Sequence, residues 1–450
     1  MVAASPALEQ YLQEAMANNP ALAQANFEVQ AERERLEGLR ARFYPSLSLQ
    51  ARASVAEGGR TIDFPAGDLL NPVYNTLNAQ LAAQGQPPRF PNVSNQSIPL
   101  LRPTEQDTRL VVRGPIYEPA LDQQVLAQQS AMQAQEAARL QVKEELERDL
   151  KAAYWQLAQA NARVNILQTS LRTLQENERV NQALYKAGET TLDAPKRAEA
   201  ERLEVQVALQ DAQTQAMLAK EYFNLLRFAP NNAAVELPQG QPSAEDIQAA
   251  LQSLRPEAPA ASAPPALTRL ERSLAAQQAQ VDASRAAYKP SVGYQIDAGY
   301  QGRDYSTGPQ TGFAQASVVL SWTLADAGIR SSEVARSAAQ LQALQAKTKQ
   351  ANRQLQLAKL QARENLLVSL NSIEARQAQQ QAALESLRIT TRKRDAGEAT
   401  QIEFLSAEQA ATRAQLGLVS ALYQARIDHA VWQYNNRHIP SLGSQEGTQP

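Results

Sequence analysis

From Ala120 to Tyr185 the chain runs for 66 residues without a proline or a glycine. Within that stretch Leu146, Leu150, Ala153, Leu157, Ala160, Val164, Leu167, Leu171 and Leu174 follow one another at steps of four and three. This is the seam of a coiled coil. As one helix the stretch would be about 100 Å long at 1.5 Å per residue, longer than a globular core can cover. A second stretch repeats the pattern with Leu341, Leu344, Thr348, Ala351, Leu355, Ala358 and Ala362, then slips by one residue to Leu366, Ser369 and Ile373. Aromatic residues are only 5% of the 450, and alanine and glutamine are abundant, which suits long helices in close contact.

The chain is a duplication. Arg40-Ala41-Arg42-Phe43-Tyr44-Pro45-Ser46-Leu47 resembles Arg285-Ala286-Ala287-Tyr288-Lys289-Pro290-Ser291-Val292 at an offset of 245 residues, and Ala187-Gly188-Glu189 with Ala198-Glu199 returns as Ala396-Gly397-Glu398 with Ala407-Glu408 at an offset of 209. The offsets differ by 36, so the first copy carries an insertion, read as a long irregular loop over Gly58 to Gln106, rich in Pro, Asn and Gly. Each long helix is expected to end at a glycine in the left-handed conformation, Gly188 or Gly397. A return helix follows, opened by a capping box at Thr190-x-x-Asp193 and at Thr400-x-x-Glu403. Residues 1–229 thus form a first repeat, with a long helix over 120–186 and a return helix over 190–228. Residues 266–437 form a second, with helices over 326–395 and 400–436. A proline-rich linker, 230–265, joins them and is expected to hold a short helix, Ala244 to Leu254; residues 438–450 read as a disordered tail.

Before each long helix the periodicity changes to two. Strands are expected over 46–55, 108–116, 291–301 and 313–323. In the first, Leu47, Leu49, Ala51, Ala53 and Val55 alternate with Ser46, Ser48, Gln50, Arg52 and Ser54; in the third, Val292, Tyr294, Ile296, Ala298 and Tyr300 alternate with polar residues. Arg52, Arg109, Arg113 and Asp297 fall on the polar side. About ten alternating residues suit either a hairpin packed on helices or a strand of a transmembrane barrel. The long helices already have a seam for one another, which favours the barrel. Four strands cannot close one, because about eight are needed and an open edge is forbidden in lipid, so several chains must share it.

Whole function classes drop out. With no cysteine there is no disulfide, zinc-thiolate or thiol nucleophile, and with only His429 and His438 no histidine-rich metal centre. G-x-S-x-G, P-loop and G-x-G-x-x-G motifs are missing, so neither enzyme activity nor a cofactor is expected. A net charge of −2, spread along the chain, speaks against nucleic acid as a partner. No apolar run reaches the roughly 20 residues of a transmembrane helix. Met1 to Pro6 has neither the charged nor the apolar part of a signal peptide, so the expectation is a cytoplasmic chain or a mature one whose signal was removed. His429 is expected to be a packing or surface histidine, and Tyr44, Tyr117, Tyr288 and Trp322 to form an interfacial girdle or to pack against helix ends.

Together these marks resemble the TolC-like outer-membrane factor family over nearly the whole chain. They are the duplicated Pro-Ser start of a strand, the passages Gly114-Pro115-Ile116-Tyr117 and Trp322-Thr323-Leu324-Ala325-Asp326-Ala327-Gly328, and the duplicated Gly-Glu…Ala-Glu hairpin. The resemblance implies a mainly α protein with a β-barrel contribution. A homotrimer would build a twelve-stranded barrel in outer-membrane lipid, four strands per chain, and long coiled-coil helices would form a periplasmic α-barrel, with the linker in its equatorial region. It implies an exit duct of a tripartite efflux pump or type I secretion system, partnered by a periplasmic adaptor and an inner-membrane transporter. The tips at Gly188, Glu189, Gly397 and Glu398 would dock the adaptor, Arg52, Arg109, Arg113 and Asp297 would line the channel, and Ile402, Glu403 and Ser406 would form the constriction. Two features depart from the family. Many efflux members carry an N-terminal lipidated cysteine, absent here, and Ser406 stands where the family often has an acid, leaving Glu403 as a single acidic ring or only the partner of Thr400 in its capping box.

Two other functions compete. A periplasmic adaptor also carries a helical hairpin, but one flanked by a split β-domain rather than a tandem duplication. A soluble coiled-coil scaffold has no need of alternating strands.

Overall fold

The computed structural model describes residues 6–238, 252, 254, 256, 262–304 and 308–437. The expected linker helix, Ala244 to Leu254, the tail 438–450 and His438 lie outside the described residues, apart from isolated linker positions. In chain order the elements are α1 (Pro6–Asn18), α2 (Pro20–Ala41), β1 (Ser46–Val55), β2 (Thr61–Phe64), α3 (Ala66–Ala83), β3 (Gln96–Pro99) and β4 (Thr104–Tyr117). Then come α4 (Pro119–Lys186), α5 (Asp193–Leu226), α6 (Pro265–Ala286), β5 (Ser291–Gly302), β6 (Gly312–Ser321), α7 (Ile329–Asp395) and α8 (Gln401–Asn435). The chain divides into two compact units, one of residues 1–36, 126–281 and 335–450, the other of 37–125 and 282–334.

In the first unit the seam of α4 is the core. Leu146, Leu150, Ala153, Leu157, Leu167 and Leu174 are buried, with Ala160, Val164 and Leu171 half-buried between them. Around Leu150 and Leu157 an aromatic cluster adds bulk: Tyr11 meets Phe223 edge-on at 5.5 Å and Tyr154 meets Trp155 at 4.9 Å. On α7 the seam is fully buried only from Ala362 onward, at Leu366, Leu370 and Ile373, which pack on Leu418 and Leu422 of α8. Among the described residues no helix is long and apolar enough to cross a membrane.

In the second unit β1, β4, β5 and β6 form one antiparallel sheet in that order. Besides the expected pairs β1·β4 and β5·β6, β4 bonds to β5, so the two repeats are joined edge to edge. Gly299 makes the join possible. A Cβ there would sit 2.2 Å from the carbonyl oxygen of Thr108, so no larger residue fits.

The insertion departs from the expected irregular loop, for it holds β2, α3 and β3. Ile62 pairs with Ile98, and three asparagines tie the remaining backbone down. Asn71 Oδ1 accepts from Val93 N–H at 2.8 Å, Asn78 Oδ1 from Phe90 N–H at 3.1 Å, and Asn95 Oδ1 from Gly67 N–H at 2.9 Å. Asparagine content, read as a sign of irregularity, here satisfies the backbone of a defined structure.

Candidate functional site

Both interhelical turns are built alike. At the first tip Gly188 has φ +80°, its N–H donates to Tyr185 C=O at 3.0 Å, and Glu189 N–H donates to Leu184 C=O at 2.9 Å. At the second, Gly397 has φ +76°, its N–H donates to Arg394 C=O at 2.9 Å, and Glu398 N–H donates to Lys393 C=O at 2.7 Å. Paired bonds of this kind close a helix C-terminus, and the positive φ favours glycine. Gly188, Glu189, Gly397 and Glu398 are all exposed.

The return helices begin differently. Thr400 caps α8 with both bonds of the capping box, its backbone N–H donating to Glu403 Oε2 at 2.7 Å and its Oγ1 accepting from Glu403 N–H at 3.2 Å. These bonds hold the Glu403 carboxyl below its ordinary pKa, the backbone donor of Thr400 most of all. The corresponding box at Thr190-x-x-Asp193 does not form. There α5 starts only at Asp193, Leu192 supplies no side-chain cap, and Asp193 accepts from Arg197 at 2.8 Å instead. The acid is shorter than the Glu a capping box prefers, and Pro195, suited to the first turn of a helix, goes with a start at Asp193 rather than at Thr190.

Ile402, Glu403 and Ser406 lie at steps of one and three on one exposed side of α8, while Phe404 between them is buried under Arg394, whose guanidinium lies 3.9 Å from the ring centre. The structure adds polar layers in the contact of α4 with α8 that the sequence pattern did not single out. Asn181 Nδ2 donates to Gln401 Oε1 at 3.2 Å, and Ser170 Oγ donates to the buried Glu408 Oε1 at 2.6 Å. Glu408 was visible beforehand only as half of the repeated Ala-Glu landmark.

On the sheet, register settles which residues share a face. Arg52 lies opposite Asp107, Arg109 between Gln50 and Gly299, Arg113 between Ser46 and Gln295, and Asp297 opposite Val111 and Gln315. Directly opposed residues point the same way. The four candidate lining residues therefore share one face. On it Arg109 pairs with Asp107 at 2.9 Å, Arg113 Nε donates to Gln295 Oε1 at 2.8 Å, and Gln295 Nε2 donates to Asp297 Oδ2 at 2.7 Å. A concavity of about 700 Å³ opens at one end of this face, lined among others by Ser46, Arg113, Gln295 and Ser321. The opposite face carries Leu47, Leu49, Val55, Val318 and Leu320, each about two-thirds exposed or more. At the sheet's end Trp322 Nε1–H donates to Tyr288 C=O at 3.1 Å, so these two girdle candidates touch, and both remain exposed, as do Tyr44 and Tyr117.

The outer membrane efflux protein family matches residues 260–430, which takes in α7 and α8 as far as residue 430. Over those residues the chain is similar to that family. The family is one of outer-membrane efflux channels rather than enzymes. No curated protein matches the chain in sequence. Among solved structures it is similar to the outer-membrane channel OprN, at 17% identity and a TM-score of 0.77, covering 96% of this chain and 91% of that one. VceC of Vibrio cholerae, also 17% identical, gives a TM-score of 0.76 and covers 96% and 97%. CusC, again at 17%, gives 0.76 over 97% and 93%. At such identities the likeness is one of fold.

Proposed function

We propose that this protein is the passive exit duct of a tripartite efflux pump or type I secretion system, working as a homotrimer. One observation carries the reading. The four-stranded sheet has a mainly apolar exposed face, a charged face and, among the described residues, edges at β1 and β6 that pair with nothing. An apolar face with free edges is tolerable neither in water nor singly in lipid. Three copies joined β1 to β6 supply twelve strands, closing a barrel with the apolar side to lipid and Arg52, Arg109, Arg113 and Asp297 to the lumen.

The helices also offer apolar surfaces to other copies. Leu203, Val207, Leu218 and Leu225 on α5, and Leu357, Leu360 and Val368 on α7, stay exposed in one chain and are surfaces for neighbouring copies. Each repeat, 1–229 and 266–437, supplies one hairpin to a periplasmic tunnel, with 230–265 between them. The tips at Gly188, Glu189, Gly397 and Glu398 receive a periplasmic adaptor, which links the duct to an inner-membrane transporter. At the tunnel mouth Ile402, Glu403 and Ser406 of three chains form the constriction.

The test is mass measurement in detergent followed by planar-bilayer recording. A trimer that forms discrete pores is expected. A monomer that stays dispersed without detergent refutes the duct and leaves a scaffold.

A further inference from the structure

The duplication makes Glu199 and Glu408 equivalent, yet they live in opposite surroundings. Glu199 is half-buried on α5 and accepts from Lys196 at 2.7 Å. Glu408 is 3% exposed on α8 and no cation pairs with it among the described residues. It sits inside an apolar seam where Leu405 and Leu416 of α8, Leu167, Leu171 and Leu174 of α4, and Val205 and Leu209 of α5 pack together. Its Oε1 accepts from Ser170 of α4 at 2.6 Å and from Thr412 of its own helix at 3.0 Å, while its Oε2 is buried with no hydrogen-bond partner.

A carboxylate in such a place is expensive in only one of its two forms. The neutral carboxyl can donate to Ser170 and accept from Thr412 without placing a charge in the seam. The ionised form has two hydroxyl donors, an oxygen with none, and no counter-charge, so its burial weighs directly against the α4–α8 contact. The charged group that acts with it from α5 is Glu201, whose own pKa is raised by burial first, then by Glu204 and by Glu408, and lowered by Arg413 of α8. Another acid in that place makes the ionised form worse.

We propose that Glu408 is a proton-operated latch on the α4–α8 seam: neutral, it holds the two hairpins together, and ionised, it loosens them. Burial shifts its titration above the ordinary carboxylate range. The sign follows from linkage. An acid whose pKa is raised by folding stabilises the packed form at low pH and loses that contribution as pH rises through its folded value. Beyond Glu408 toward the tips the seam is mixed: Leu174 and Phe404 are buried, but Asn177, Asn181 and Gln401 add polar layers, of which Asn177 Nδ2 and Gln401 Nε2 are also buried without partners. Loss of the Glu408 contact thus weakens that end of the seam, and, resting on the duct reading, it widens the mouth of the tunnel.

The chain has no cysteine, so introduced cysteines are its only thiols. Spin labels on exposed Gln175 of α4 and Ala410 of α8, in labelled chains diluted with unlabelled ones, report the separation across the seam in the full-length protein. At the acid end of a titration one short distance is expected, with a longer population growing toward the alkaline end. Glu408→Gln, which keeps shape and hydrogen bonds without the charge, should hold the short distance at both. Identical wild-type distributions at the two ends, or a glutamine variant that responds like wild type, would overturn the latch. Conductance of the closed form, recorded alongside, separates the two readings. If the labels respond and conductance does not, the latch stands and its role in the duct falls.

Discussion

Thr400 and Glu403 hold each other. Each backbone N–H is bonded to the other's side chain, at 2.7 and 3.2 Å, so the acid proposed for the constriction is also the one that starts α8. The two roles come apart by substitution. Glu403→Gln keeps an acceptor for Thr400 and removes the charge, so cation preference in planar-bilayer recordings should fall with little change in stability. Glu403→Ala should lose both, at about 1 kcal/mol of helix stability. Ile402→Ala should raise the closed-state conductance.

The tips depend on backbone rather than packing. A Cβ at Gly188 or Gly397 meets nothing within 4 Å, yet φ lies at +80° and +76°. Valine at either position should therefore cost about 1–2 kcal/mol through strain alone. Thermal unfolding should show the loss in the protein by itself, and binding of the proposed adaptor should weaken further in the double variant. An unaltered unfolding temperature in both single variants would mean the turns relax freely.

Neighbouring positions on β1 should respond oppositely. Leu49 is on the apolar face and Gln50 on the charged face, opposite Arg109. Leu49→Arg places a charge in lipid, at about 2–4 kcal/mol near the bilayer midplane, and should reduce folding into vesicles. Gln50→Arg should insert normally and change ion selectivity. Equal insertion of the two variants would argue against the membrane face.

His429 makes stability fall in acid. It stacks on Trp432 at 5.5 Å, and its burial first, then Lys151 and Arg426, push its pKa from 6.5 down to about 4. The unfolded chain therefore takes up the proton first, so stability is full above about pH 6.5 and drains away as pH falls toward 4. The linkage is worth up to about 3 kcal/mol. Urea midpoints at pH 7 and near pH 4 should differ more for wild type than for His429→Gln. This runs opposite to the Glu408 contribution, and the two variants separate them.

What the residue order determined is what repeats locally. Steps of four and three from Leu146 to Leu174 required a long seam, two-step alternation from Ser46 to Val55 required a strand with two unlike faces, and Gly188 and Gly397 required turns, because each pattern is written in side chains a few positions apart. Tertiary structure alone decided what depends on partners distant in the chain. The bonding of β4 to β5 turned two hairpins into one sheet. Asn71, Asn78 and Asn95 made an ordered insertion out of a loop-like composition. Equivalent acids received opposite fates: Glu199 meets Lys196 three residues away, whereas Glu408 meets Ser170 at a separation of 238 residues inside an apolar seam. A sequence repeat records common ancestry of the two halves, but the cost of a buried charge is set by whatever the fold places around it.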